Sequence, residues 1–444
     1  MKKLLSVLAF LVCIISIHAQ SLSEKIDQLL NAYQKQNKLN GSVLVVKGSE
    51  ILNKGYGYKN YETQELNSAN SIYQIGSITK QFTAVLILKL SEQKKLSLQD
   101  KLSKYYPNFP NAEKISIEHL LTHTSGLFNY TNDENFMKNN AALPLTEEQF
   151  INFQKEKALD FEPGEKFSYS NSGYMFLGYI IEKTSGMSYE KYVQQQVFEP
   201  LKMKNSGYNY IGLQNEHKTQ PYQSFTSKQF NKAVLVHPSF SYAAGTIYST
   251  TSDLYTWNQA LLNNSIITNN SFSNATTSRK NNYGFGLVID SNYNKRRISH
   301  SGGINGYASH LLSIPEDTIC IVVLNNLEIA NAGRVASEIL KVLYNKPYTL
   351  PSEKIEISLP IETLQQYVGE YEITPTFKII ITLENNKLKA QATGQPQFDI
   401  FAMTENKFFL KVVEADIEFI KNAEGKVEKL ILYQGGAKVP GIKK

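Results

Sequence analysis

Near residue 350 the sequence changes texture, and the change splits the chain into parts that cannot share one core. Before it, apolar residues recur at helical spacing in "QFTAVLILKL", "EQFINFQKE", "GYMFLGYIIEKTSG" and "DLYTWNQALLNN". The stretch from Ser21, "SLSEKIDQLLNAYQKQ", adds a helix with a capping box of Ser21 and Glu24. β-rich runs stand at both ends of this region. "GSVLVVKGSEILNKGYGY" reads as a hairpin, and "YGFGLVID", "RRISHSG", "GYASHLLSI" and "TICIVVLNN" read as late strands before a helix over Ala330 to Tyr344. Strands at both ends with helices between them predict an α+β fold, an antiparallel sheet beside a helical subdomain, over residues 20–348. A proline-bearing linker follows at 349–359. From 360 to 444, short alternating runs separated by "ENNK", "TENK" and "NAEGK" predict about seven strands in a small antiparallel β-barrel-like domain. At 444 residues the chain is long enough for both.

Residues 1–19 read as a signal peptide: Lys2 and Lys3, an apolar run from Leu4 to Ile17, then "IHA" before Gln20. That run is too short for a comfortable membrane span. The chain is therefore expected to be exported, to the periplasm or the medium, with no integral membrane span after cleavage. Cys320 alone would remain, in an apolar strand, so no disulfide framework holds the fold. The formal charge of +6 includes no Lys/Arg block interleaved with aromatics, so nucleic acid is not an expected partner.

Three short motifs can carry chemistry. Ser-x-x-Lys occurs at Ser77, Ser91 and Ser188, but only "GSITK" follows a strand-like run and opens a long apolar helix. There Lys80 shares a helix face with Ser77, and the helix start supplies backbone N–H donors for a developing oxyanion. A serine hydroxyl needs a base, and a lysine serves as one only when burial or neighbouring cations lower its pKa. "YSN", Tyr169 to Asn171, sits on a Pro/Gly-bearing loop feeding an apolar helix. A phenol beside an ammonium can act as phenolate, and an amide can bridge a lysine and a substrate. "HSGG", His300 to Gly303, ends a strand; its glycines admit a substrate to the backbone.

In their order, "SITK", "YSN" and "HSG" resemble the three motifs of the serine β-lactamase and penicillin-binding-protein superfamily, in its class C-like branch. "LLTHTSGL", "FEPGEKFSYSNSGY" and "AAGTIYSTTSDL" resemble it too, over roughly residues 21–345. The resemblance implies Ser77 as acylated nucleophile with Lys80 and Tyr169 sharing acid–base work. It also implies Asn171, His300, Ser301 and Gly302 as substrate-binding residues, backbone N–H groups of Ser77 and Gly303 as oxyanion hole, and no metal or organic cofactor. The partner would be a small-molecule or peptide substrate; oligomeric state is not readable. His-x-Gly in place of Lys-Thr-Gly removes a permanent charge for a substrate carboxylate, which favours an esterase or D-amino-acid peptidase over a β-lactamase or D-Ala-D-Ala carboxypeptidase. "GEYEI" onward resembles a lipocalin-like domain.

Two readings of other classes remain. "HLLTH" spaces His119 and His123 as two zinc ligands on a helix, without the glutamate of the His-Glu-x-x-His motif. A penicillin-binding sensor would acylate once and stop.

Overall fold

The computed structural model describes residues 20–48, 50–225, 230–348, 350–351, 354–411, 415–434 and 437–444. The leader expected at residues 1–19 lies outside them. Among the described residues no helix is long and apolar enough to cross a membrane. The chain divides into two compact units after Pro351.

The first unit is built on six antiparallel strands: β1 (Gly41–Lys47), β2 (Glu50–Tyr56), β3 (Val288–Asn292), β4 (Lys295–Ile304), β5 (Tyr307–Ile314) and β6 (Ile319–Asn325). Their order is β2-β1-β6-β5-β4-β3, so the N-terminal hairpin joins the C-terminal meander through the pair Val43↔Val323. Five helices matter here: α1 (Leu22–Lys35) and α5 (Ala332–Leu343) on one face of the sheet, and α2 (Thr79–Glu92), α3 (Asn171–Ser185) and α4 (Pro238–Gly245) around the site. The capping box expected at Ser21 is made, with Glu24 N donating to Ser21 Oγ at 3.2 Å and Ser21 N to Glu24 Oε2 at 2.8 Å.

Two-residue periodicity explains why β1 and β6 are apolar throughout. Val43, Val45, Ile321 and Val323 join Ile26, Leu30, Val335 and Ile339 of α1 and α5 in one core. Leu44, Val46, Cys320 and Val322 face the other way, into the core that contains α2 and α3. A strand covered on both faces needs no polar side. Helix α2 is buried from Thr79 to Leu88, so it is apolar nearly all round rather than on one stripe.

Two expected boundaries shift. The strand predicted at "YGFGLVID" begins only at Val288, because the backbone folds back with Gly284 N donating to Leu287 O at 2.8 Å. The helix after Ser77 opens with a 3-10 turn, Gly76–Ile78, so Ser77 itself precedes α2.

The second unit is a closed antiparallel barrel of eight strands between Gly369 and Lys443. Sequence reading finds seven; it misses Ala437–Lys443, where Pro440 and Gly441 argue against a strand. Pro440 is tolerated because the pairing to the first barrel strand runs through Ile442 and Lys443, beyond it. Buried side chains cluster in this unit, with Tyr367 stacked on Phe419 at 4.4 Å and Phe408 edge-on to Phe419 at 5.5 Å.

Candidate active site

Ser77 stands on a turn gripped from both sides. Ile75 N donates to Ile247 O at 2.9 Å, and Ser309 Oγ of β5 donates to Ile75 O at 2.8 Å. Gly76 has φ +51°, and a Cβ there would lie 2.7 Å from Gly303 N. Only glycine fits, and its absence of a side chain brings the end of β4 against the Ser77 turn.

Lys80, the second residue of α2, is fully buried and makes three hydrogen bonds: to Ser77 Oγ at 3.0 Å, Asn171 Oδ1 at 2.7 Å and Ala244 O at 2.8 Å. Burial alone drives its pKa well below the usual lysine value. The three partners suit both protonation states. An ammonium donates to all three; a neutral amine donates to Asn171 and Ala244 and turns its lone pair to Ser77 Oγ.

Each partner is held from behind. Asn171 is the first residue of α3; its N donates to Asn129 Oδ1 at 3.0 Å and its Nδ2 to Thr131 Oγ1 at 3.1 Å. That second bond directs Oδ1 toward Lys80. The Ala244 carbonyl is available because α4 ends at Gly245, leaving its last carbonyls without helical partners. Thr83 Oγ1 takes the neighbouring Ala243 O at 2.6 Å. Inside α4, Tyr242 adopts φ 36°, ψ −134°, a strained conformation for a non-glycine residue. Its ring lies against Gly178 of α3, where a Cβ would come within 2.3 Å of Tyr242 Cε1, and stacks on Tyr179 at 4.8 Å.

Tyr169 approaches from the other side, and the Ser77 side chain partly offsets the rise in its pKa that burial causes. Its expected activation as phenolate does not follow from the geometry. Lys80 Nζ lies over the ring, 4.8 Å from its centroid, and burial pushes the phenol above its ordinary pKa. Burial thus favours the protonated phenol over the phenolate.

His300 and Ser301, expected to meet substrate, are turned to other partners. His300 is buried, and desolvation pulls its pKa down to about 3. Its Nδ1–H donates to Ser301 O at 2.6 Å, which leaves Nε2 to accept from Tyr283 OH at 2.8 Å. Ser301 points to the opposite face of β4, where its Oγ meets His310 Nδ1 at 2.8 Å. Gly302 is buried against Ile75, its Cβ position 1.9 Å from Ile75 O, and Gly303 borders the cleft. Ser77, Asn171 and Gly303 line a cleft of about 250 Å³ together with Tyr130, Phe240 and Ile304.

His119 and His123 do not share a helix face. The helix Ile117–Leu121 ends before His123, which has φ 56°. His119 caps that helix through Nδ1, accepting from Ser116 N at 3.3 Å. His123 instead packs on Tyr169 at 4.1 Å and on Tyr283 at 4.7 Å, and accepts Ser170 N at 3.1 Å. Its role as a support for the Tyr169 loop was hidden in "THTSGL", where only its proximity in the fold reveals it. Tyr283, Thr131 and Tyr242 carried no spacing signal at all.

Residues 26–345 match the family model described as Beta-lactamase. The chain belongs to the beta-lactamase family. Residues 353–439 match a second model, a domain of unknown function (DUF3471). Penicillin-binding protein 4* of Bacillus subtilis is 29% identical over 455 residues, covering 96% of this chain and 99% of that protein. The octameric penicillin-binding protein homologue from Pyrococcus abyssi superposes with a TM-score of 0.67 at 27% identity, over 94% of this chain and 99% of its own. D-amino acid amidase from Ochrobactrum anthropi shares the fold, with a TM-score of 0.66 at 21% identity over 73% of this chain and 98% of its own. Thus the beta-lactamase fold, a sheet with packed helices, carries Ser77, Lys80, Tyr169 and Asn171 in one cluster, followed by the eight-stranded barrel.

Proposed function

We propose that the chain is an exported serine hydrolase that cleaves ester or amide bonds through an acyl-enzyme on Ser77. The observation that carries this reading is the buried Lys80 amine, 3.0 Å from Ser77 Oγ and depressed in pKa by desolvation. Lys80 takes the Ser77 proton as Oγ attacks the substrate carbonyl, and the backbone N–H groups of Ser77 and Gly303 receive the oxyanion. The Tyr169 phenol, whose protonated form burial favours, passes a proton to the leaving group and is reprotonated from Lys80. Water then attacks the acyl-enzyme by the same relay in reverse, so protons balance over the cycle. Lys80 and Tyr169 act as one titrating unit. His300 acts by positioning, since both its ring nitrogens are engaged within the protein. The buried aromatic cluster of the barrel supports a structural role for the second unit. Export rests on the apolar N-terminal segment and on the name of the penicillin-binding relatives.

The test is steady-state hydrolysis of an aryl ester, a D-aminoacyl anilide, a D-Ala-D-Ala peptide and a chromogenic cephalosporin by wild type and Ser77→Ala. Multiple turnovers that vanish in Ser77→Ala support the reading. A single burst per molecule would assign a sensor instead.

A further inference from the structure

The cleft beside Ser77 has walls of Tyr130, Met137, Val236, Phe240 and Ile304. These walls are fixed from behind. Tyr130 meets Phe240 edge-on at 5.2 Å and donates its hydroxyl to Phe240 O at 2.7 Å. Phe240 packs on Phe136 at 5.9 Å, and Phe136 stacks on Phe153 at 3.9 Å. Among the described residues no Asp, Glu, Lys or Arg side chain lines the cleft. The Lys80 amine already has three partners, and the His300 imidazole is engaged at both nitrogens.

One polar atom in this wall has no partner. Ser241 lines the cleft and is 9% exposed, yet its Oγ makes no hydrogen bond. A buried hydroxyl normally finds one. The strained turn at Tyr242 follows directly, so the backbone that presents Ser241 is the same one that presents Ala244 O to Lys80.

We propose that this cleft selects uncharged esters or amides with an apolar group beside the scissile bond, and that Ser241 Oγ hydrogen-bonds a neutral polar atom of that group. The proposal rests on the acyl-enzyme reading above and narrows its substrate class. Apolar surface gains by leaving water against these walls. A free carboxylate or ammonium would lose its hydration there and meet no opposite charge.

The experiment uses the full chain and p-nitrophenyl esters of acetic acid, 3-phenylpropanoic acid, N-acetylphenylalanine, phenylalanine and benzylsuccinic acid, the last with one free carboxylate. Rates are taken after subtraction of the Ser77→Ala rate. The expected kcat/KM for each neutral phenyl-bearing ester exceeds that of acetate and of both charged esters by at least tenfold. Ser241→Ala should lower the N-acetylphenylalanine ester several-fold more than the phenylpropanoate. Met137→Lys, a change at a half-buried position, should raise the benzylsuccinate relative to the neutral esters. Charged esters that match the neutral ones, or a Ser241→Ala loss equal for both neutral esters, would overturn the proposal. If no ester shows Ser77-dependent turnover, the acyl-enzyme reading fails by itself. The cleft is then tested by thermal shift with 3-phenylpropanamide, phenylalaninamide and benzylsuccinamic acid. Stabilisation by the neutral amide alone upholds the selectivity, and equal stabilisation by a charged one overturns it.

Discussion

Replacing Lys80 by methionine separates what this residue does for stability from what it does for chemistry. Methionine keeps the length and the apolar stem, and removes the amine from Ser77 Oγ, Asn171 Oδ1 and Ala244 O. Counted as bonds alone, three lost donors at about 1–3 kcal/mol each predict severe destabilisation. The opposing effect is the cost of burying the amine, which folding meets by releasing its proton, several kcal/mol relative to the hydrated ion. The two cancel to a small net change near pH 7, while loss of the general base lowers kcat/KM by about 10²–10⁴.

The pH dependence decides the matter. A depressed folded-state pKa means that, between that pKa and about 10.4, the unfolded chain holds a proton the folded chain lacks. Wild-type stability relative to Lys80→Met then rises with pH across that window, by up to about 1.4 kcal/mol per unit. The contribution is fully present above the unfolded pKa and is lost as pH falls through the folded one. Urea unfolding read by the single tryptophan measures this in the right unit, because Trp257 stacks on Phe82 of α2 at 4.1 Å. Parallel stabilities of the two proteins from pH 7 to 9 would refute the depressed lysine and the base role built on it.

Tyr169→Phe preserves the ring packing on His123 at 4.1 Å and removes the hydroxyl that reaches Ser77, so turnover should fall by about 10²–10⁴ with an unchanged melting temperature. Gly178→Ala places a methyl 2.3 Å from Tyr242 Cε1 and 2.6 Å from Ala243 Cβ; the expected cost is about 1–3 kcal/mol in Trp257-monitored unfolding. The same variant should slow turnover, because Ala244 O moves with α4. Phe419→Ala empties the centre of the barrel, where Tyr367, Tyr371 and Phe408 surround that ring, and should destabilise the barrel by about 3–5 kcal/mol in far-ultraviolet circular dichroism melts.

Much of this fold was legible because its elements obey local rules. The Ser21 capping box, the β1–β2 hairpin and the apolar runs of α2 and α3 are each fixed by neighbours in sequence. Of the three Ser-x-x-Lys matches, the capping expected at Ser188 is made: its Oγ accepts Lys191 N at 3.3 Å at a helix start. What was not legible depends on partners far along the chain. The last barrel strand contains a proline that a strand rule rejects, and only barrel closure reveals why it is tolerated. The orientation of Ser301 and the engagement of His300 by Tyr283 follow from strand alternation and tertiary packing, neither of which "HSGG" encodes. The support from His123, Thr131 and Tyr242 arises where loops separated by some 40 to 120 residues meet, so no spacing announces it.

The most direct measurement is the intact mass of the protein, quenched during reaction with an activated aryl ester, with the modified peptide mapped by fragmentation. An adduct of the acyl mass on Ser77, absent in Ser77→Ala and decaying as product forms, is the result this account predicts. Product formation with no adduct on Ser77, or an undiminished rate in Ser77→Ala, would contradict it.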